Sequence, residues 1–287
     1  MNKENESKSL MFLKRLFCYL VLIFLSILCL FSFYILVVNA TRSHPDIQKG
    51  FSFLPGKSFW VNLKNLLEPG KSQLPILSGM FNSLFIASLS AGLCTYISAL
   101  TAYAIHAYEF KFKSLAYTFI LVIMMVPAQV SALGFVNLID DMKLMNSFIP
   151  LILPAMAAPV VIFFMKQYME SALPVALVEA SRIDGAHEFR TFNQIVLPIL
   201  KPAMAVQAIF TFVGSWNNYF IPSLILRDSK RQTLPILIAL LRKADFLKFD
   251  MGKVYMMIAF AIIPIVIVYF LLSKYIVRGI AIGSVKG

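Results

Sequence analysis

The sequence predicts an all-α integral membrane protein with six transmembrane helices and a polar, two-piece helical stretch between the fourth and the fifth. Three observations predict it. Of 287 residues, 59% are hydrophobic and only 14% are charged, where soluble domains carry about a quarter. Six uncharged runs meet or exceed the roughly 20 residues that a helix needs to cross about 30 Å of hydrocarbon. Between the fourth and fifth runs lies "EASRIDGAHEFRTFNQIVLP", residues 179–198, which crowds Glu179, Arg182, Asp184, Glu188 and Arg190 into a dozen positions.

The first run, 16–38, has 23 residues without a charge. Val38 and Ala40 resemble a cleavage site, but the run exceeds the 7–15 residues of a signal-peptide core, so an uncleaved anchor is expected. The others are 74–105, 114–139, 144–165, 202–226 and 254–273. The second is long enough for its start, 74–80, to form a separate short helix outside the bilayer. Cys18, Cys29 and Cys94 all fall inside runs; they suit small packing residues better than a disulfide framework.

The net charge of +12 would point to nucleic acid in a soluble protein. Here the basic residues flank membrane spans, and no nucleic acid is implied. Their distribution leaves the orientation open, because six crossings place thirteen lysines and arginines on each side. Around the first span four basic residues precede it and only Arg42 and Lys49 closely follow, a weak vote for an inside N-terminus.

No catalytic constellation is present. His44, His106 and His187 are scattered without ligand spacing, so no metal site is expected. The strings Gly56-Lys57-Ser58 and Gly70-Lys71-Ser72 lack the earlier glycine of a phosphate loop, since Phe51 and Asn65 stand there. The runs also hold no Asp, Glu, Lys or Arg, whereas ion-coupled carriers place ionisable groups at membrane depth. Energy for any transport is expected from another subunit.

The loop 166–201 divides into two helical pieces. Pro174 suits a first helical turn. Leu173, Ala176, Leu177, Ala180 and Ile183 then recur on one face, and Gly185 suits a C-terminal cap. A second short helix over 186–196 would align Phe189, Phe192 and Val196, with Pro198 and Pro202 closing it before span five. An apolar stripe framed by charge fits a partner's groove or a helix lying flat among lipid headgroups.

These residues resemble a family. Glu179-Ala180-Ser181, Gly185, Ile195 and Leu197-Pro198 match, in type and spacing, the EAA motif of binding-protein-dependent ABC importer permeases. Ser181 is the one departure, standing where alanine is usual. The ending "VRGIAIGSVKG" and the stretch "FVGSWNNYFIPSLIL", 212–226, are similar to maltose-type carbohydrate permeases, and Phe81-Asn82-Ser83-Leu84 resembles the start of their core.

The resemblance implies a domain layout of 1–75 (N-terminal tail, first span and extracellular loop) and 76–287 (permease core with the coupling loop and a cytoplasmic C-tail). It implies a bacterial plasma-membrane protein with both termini cytoplasmic and a seven-cation loop, 227–253, facing out toward a solute-binding protein. The loop 166–201 would then dock on an ABC ATPase dimer, which binds ATP and Mg; this chain would need no cofactor of its own and catalyse nothing. Glu179 would face a basic residue of the ATPase and Gly185 would set the bend, with Asp184 beside it in the coupling loop; by the helical reading of the residues, not by the motif, Phe189 and Phe192 would supply buried contact. Gly283, Ser284, Val285, Lys286 and Gly287 would reach between the ATPases. Asn82, Trp216, Asn217, Asn218 and Tyr219 offer the amides and aromatics that hold a sugar, or else bond neighbouring helices. A second homologous permease completes the expected assembly, which would import sugars, foremost oligosaccharides; the alternatives are an ABC importer permease for a non-sugar solute or a standalone secondary transporter.

Overall fold

In the computed structural model the described residues are 2–68, 74–127, 129–242 and 250–283. They are helical or irregular throughout, with no strand among them. Five segments are long and apolar enough to cross a membrane: Met11–Ala40, Ile76–Ala107, Ile149–Ala172, Glu188–Ile225 and Met251–Tyr275. The chain divides into two compact units, one formed by 1–72 with 241–260 and the other by 73–240 with 261–287.

In the first unit, α1 (Asn2–Ala40) runs past both ends of its apolar core. The chain then folds onto the end of α1. Arg42 is buried; its guanidinium donates to Asn39 Oδ1 at 3.1 Å and to the Asp46 carbonyl. Ser43 and Asp46 open α2 (His44–Gln48), and the Ser43 hydroxyl holds the Asp46 carboxyl below its usual range. From α3 (Phe59–Leu67), the Asn62 amide donates to the Ala40 and Arg42 carbonyls, both at 2.9 Å. Gly56 sits where a Cβ would lie 2.6 Å from the Thr41 carbonyl. The first "GKS" glycine is thus a close-approach glycine.

The second unit is organised by α4 (Ile76–Ala107). It is one unbroken helix, so the separate short helix expected at 74–80 does not form. Pro75 falls just before the first turn, where its missing N–H costs nothing. One face of α4 is lined by small buried residues: Ser83, Ala87, Ala91, Cys94, Ser98 and Ala102. Without a hydrophobic driving force between helices in lipid, such residues allow the close backbone approach that packing requires. Against that face lie α8 (Pro159–Ala172) and α11 (Leu197–Trp216). Their core includes Met165, Met169, Phe192, Val196 and Leu200, each essentially inaccessible.

The third expected span, 114–139, is not one helix. It is α5 (Lys113–Ile123) and α6 (Ala132–Asp141), separated by an irregular stretch containing Pro127. Proline lacks a donor and its ring meets the carbonyl four residues earlier, here Ile123, where α5 ends. At about 1.5 Å per residue α5 covers roughly half of the bilayer core.

The fourth span lies further along the chain than its charge-free run. It passes through α7 (Ile149–Ile152) and a 3₁₀ turn (Leu153–Met156) into α8, which carries Lys166 and Glu170 as an ion pair inside the helix. Lys166 Nζ also sits 4.5 Å from the centre of the Tyr117 ring. After α11 come α12 (Phe220–Ile225), a 3₁₀ turn (Ser229–Arg231) and α13 (Leu234–Arg242); α14 (Met251–Gly283) ends the described chain. Asn146, with φ +61°, accepts the backbone N–H of Arg227 at 3.2 Å and of Asp228 at 3.1 Å, fixing the start of the loop after α12.

Candidate functional site

The loop between α8 and α11 holds α9 (Val175–Ile183), α10 (Glu188–Thr191) and a π-helical turn (Phe192–Val196) that runs straight into α11. The second piece is therefore the start of the fifth span rather than a helix closed by proline. Pro198 and Pro202 both lie inside α11. The wide π turn relieves the clash that Pro198 would make with the carbonyl of residue 194.

The bend between the pieces is a Schellman motif. Asp184 is the C-cap residue of α9, Gly185 donates to the Arg182 carbonyl at 3.0 Å, and Ala186 donates to the Ser181 carbonyl at 3.0 Å. Gly185 takes φ +78°, and a Cβ there would meet nothing within 4 Å. Only the backbone conformation selects glycine, so the penalty for other residues is purely that of the left-handed region. Gly185→Asn is expected to hold the bend nearly as well as glycine, and Gly185→Val to cost about 1–2 kcal/mol. Thermal unfolding of the two purified variants ranks them; equal melting temperatures would contradict this reading of the bend.

Ser181 faces inward, not toward a partner. It is buried, its hydroxyl donates to the Val178 carbonyl at 2.7 Å, and it lies 3.0 Å from Thr191 Oγ1. The one departure from the family motif thus adds a polar tie between α9 and α10.

A charged cluster fixes the loop to the end of α4. Arg182 Nε donates to Glu188 Oε1 at 2.6 Å, and Tyr103 donates to Glu188 Oε2 at 3.0 Å. The guanidinium also stacks 4.9 Å from the Tyr108 ring. Hydrogen bonding to Glu188 raises the Arg182 pKa further, so it stays charged; burial, then Glu188, raises that of Tyr108. Two further bonds come from α4: Tyr96 donates to Asn193 Oδ1 at 3.2 Å, and His106 Nε2 lies 2.9 Å from the Leu173 carbonyl. Sequence reasoning marked Arg182 and Glu188 only as charged residues, and it gave no role here to Tyr96, Tyr103 and His106 on α4 or to Tyr108, which caps it. Tyr96 and Tyr103 are seven residues apart and Tyr103 and His106 three, so they share one helical stripe. That spacing was the available signal.

The two phenylalanines part company. Phe192 is fully buried, 5.6 Å from Tyr96 and 5.5 Å from Tyr103 between ring centres. The expectation that it meets a partner is corrected: the chain's own core uses it. Phe189 is 67% exposed and overhangs an apolar groove of about 450 Å³ beside Tyr103, Tyr108 and Phe110. Along α9 the apolar face splits likewise. Leu173, just before α9, and Val178 are buried, while Ala176, Leu177, Ala180 and Ile183 turn outward, Ile183 at 86% exposure. Glu179, Asp184 and Gly185 are exposed beside them; Ile195 and Leu197 are half-buried and Pro198 is exposed.

The remaining candidates are scattered. Both Asn82 amide hydrogens go to backbone, the carbonyls of Lys230 at 2.9 Å and Gln232 at 3.0 Å. Trp216 is buried and stacked on Phe212 at 5.8 Å. Asn217, Asn218 and Tyr219 are exposed at the break between α11 and α12. Gly283 is the last residue of α14; Ser284, Val285, Lys286 and Gly287 lie outside the described residues.

Comparison with known proteins places this arrangement. Residues 95–282 match the family described as binding-protein-dependent transport system inner membrane component. The chain is 35% identical over 210 residues to the arabinooligosaccharides transport system permease protein AraQ of Bacillus subtilis, covering 72% of this chain and 73% of that one. It is 32% identical over 278 residues to the trehalose/maltose transport system permease protein MalG of Thermococcus litoralis, covering 96% and 98%. The sn-glycerol-3-phosphate transport system permease protein UgpE of Yersinia pestis is 30% identical over 269 residues, covering 92% and 95%. A crystal structure of a bacterial ABC transporter involved in import of the acidic polysaccharide alginate shares the fold, with a TM-score of 0.74 at 21% identity over 91% of this chain and 96% of that one. By its sequence and its helical framework, the chain belongs to the family of binding-protein-dependent transport system inner membrane components.

Proposed function

We propose that this chain is the membrane-spanning permease subunit of an ATP-driven ABC importer of sugars, oligosaccharides foremost. The observation that carries the proposal is the exposed face of α9. Ala176, Leu177, Ala180 and Ile183 stand in solvent beside Glu179, on a loop whose inward face is locked to α4 and α11. An exposed apolar patch held on a rigid support is a docking surface. The partner is an ATPase dimer carrying ATP and Mg, and closure of that dimer drives the loop.

The assembly contains a second homologous permease and an external solute-binding protein. The permease core runs over 76–287, after an N-terminal segment 1–75. The split stretch Lys113–Ile123 and Ala132–Asp141 makes the sixth crossing as a broken helix, which puts both termini in the cytoplasm. The C-tail from Gly283 to Gly287 reaches the ATPases. Asn217, Asn218 and Tyr219, at an exposed helix break, offer sugar contacts.

A neutral solute is favoured over a charged one. Runs 74–105 and 202–226 hold no Asp, Glu, Lys or Arg with which to balance a fixed charge. Two relatives bear the names of oligo- or disaccharides and one that of a phosphate ester. ATP hydrolysis by the reconstituted complex, assayed with arabino- and malto-oligosaccharides and with glycerol-3-phosphate, tests the class. Stimulation by a neutral oligosaccharide is expected; stimulation by glycerol-3-phosphate alone would overturn it.

A further inference from the structure

We propose that α4 is the stiff member that links the coupling loop to the loop following α12, and that Tyr103 and Ser83 are the positioning residues at its two ends. The proposal rests on the reading of α9 as the ATPase-facing surface.

The first ground is that both ends of one helix are clamped to different loops. At one end, Tyr103 and Tyr108 hold Glu188 and Arg182, and His106 lies against the Leu173 carbonyl. At the other end, Asn82 donates to the carbonyls of Lys230 and Gln232, and Ser83 Oγ accepts the N–H of Leu234, the first residue of α13, at 2.8 Å. That N–H has no partner within its own helix, and Leu234 is buried. Beneath it, Gly79 lets Leu237 approach to where a Cβ would lie 2.3 Å from a Leu237 methyl. The loop so held is stiffened from outside by Asn146.

The second ground is stiffness. From Ile76 to Ala107 the helix contains no proline and no irregular turn, and it is about 48 Å long at 1.5 Å per residue. The other long segments of this unit are interrupted: Pro150, Pro154 and Pro159 fall in Ile149–Ala172, and Pro198, Pro202 and Pro222 in Glu188–Ile225. Proline and π turns are where helices bend. A displacement at α9 and α10 is absorbed at those breaks along α11 but carried whole along α4. Ser83 and Tyr103 are twenty residues apart, about 30 Å along the axis.

The test has two readouts. In the full-length protein purified in detergent, amide hydrogen exchange is followed at residues 230–237 in Tyr103→Phe and Glu188→Ala. Both variants are expected to speed exchange there about 3- to 10-fold, although neither touches that loop. Arg190→Ala, whose guanidinium binds Gln194 on its own helix at 2.9 Å, is expected to leave it unchanged. In the reconstituted complex, Tyr103→Phe and Ser83→Ala are each expected to lower the ratio of binding-protein-stimulated to basal ATP hydrolysis about 3- to 10-fold. The double variant is expected to fall no further than the worse single one.

Exchange confined to 173–196, or losses that multiply in the double variant, would overturn the link. If exchange propagates while the wild-type complex shows no stimulation, α4 joins the loops but the transport reading fails. If the wild type is stimulated and exchange stays local, the transport reading stands and the link fails.

Discussion

Phe192→Ala is expected to destabilise the protein by about 3–5 kcal/mol, the usual cost of emptying a large aromatic site in a packed core. Its ring packs from the π turn before α11 against Tyr96 and Tyr103 of α4, and it is fully buried. Phe189→Ala, three residues earlier, removes a ring that is 67% exposed, and the fold is expected to change by less than about 0.5 kcal/mol. Thermal unfolding in detergent separates the two, and a matched loss of stability in both would show that Phe189 is also structural. In co-purification with the ATPase the order reverses at preserved fold, since only Phe189 offers its ring to a partner.

Ile183→Asp is the second large effect. The side chain is 86% exposed, so a carboxylate there costs the isolated chain almost nothing. In a groove it has to be stripped of water beside Glu179 and Asp184, and burying an unpaired charge is expensive. Loss of at least about 30-fold in affinity for the ATPase is expected, the scale of a central interface residue at about 2 kcal/mol. Quantitative pull-down at matched expression measures it. Unchanged affinity would place α9 in the lipid headgroup region instead.

Much of the architecture was legible in the chain itself, and the failures are local. Runs of apolar residues located five of the long helices because length and composition are what the bilayer demands. The run at 114–139 looked equally continuous because hydropathy does not register the donor that Pro127 lacks. Conversely, Pro198 and Pro202 looked like terminators, yet a π turn and the packing of α11 on α4 absorb them, so tertiary contact outweighs a local breaker. Gly185 was read correctly as a chain reversal, since a glycine at the end of a periodic apolar stretch takes the left-handed conformation that caps a helix, here with φ +78°.

The stripe Phe189–Phe192–Val196 was also real, but periodicity cannot say where the opposing helix stops. Near Tyr108 the end of α4 leaves Phe192 covered and Phe189 overhanging. The brace of Arg182, Glu188 and Tyr103 was illegible for a related reason: Tyr103 stands 85 residues before Glu188 in sequence, and only the folding of the loop against the end of α4 brings them together. For Asn82 the residue type suggested a ligand contact, while the structure gives both its amide hydrogens to the loop at 230–232.

The most direct measurement is ATP-driven uptake of a labelled oligosaccharide into proteoliposomes containing the complete complex, wild type against Ile183→Asp and Glu179→Ala. The account predicts uptake by the wild type, its abolition in Ile183→Asp and a severe reduction in Glu179→Ala, with the permease still inserted and folded. Full uptake in both variants would contradict it, because the exposed face of α9 would then play no part in coupling.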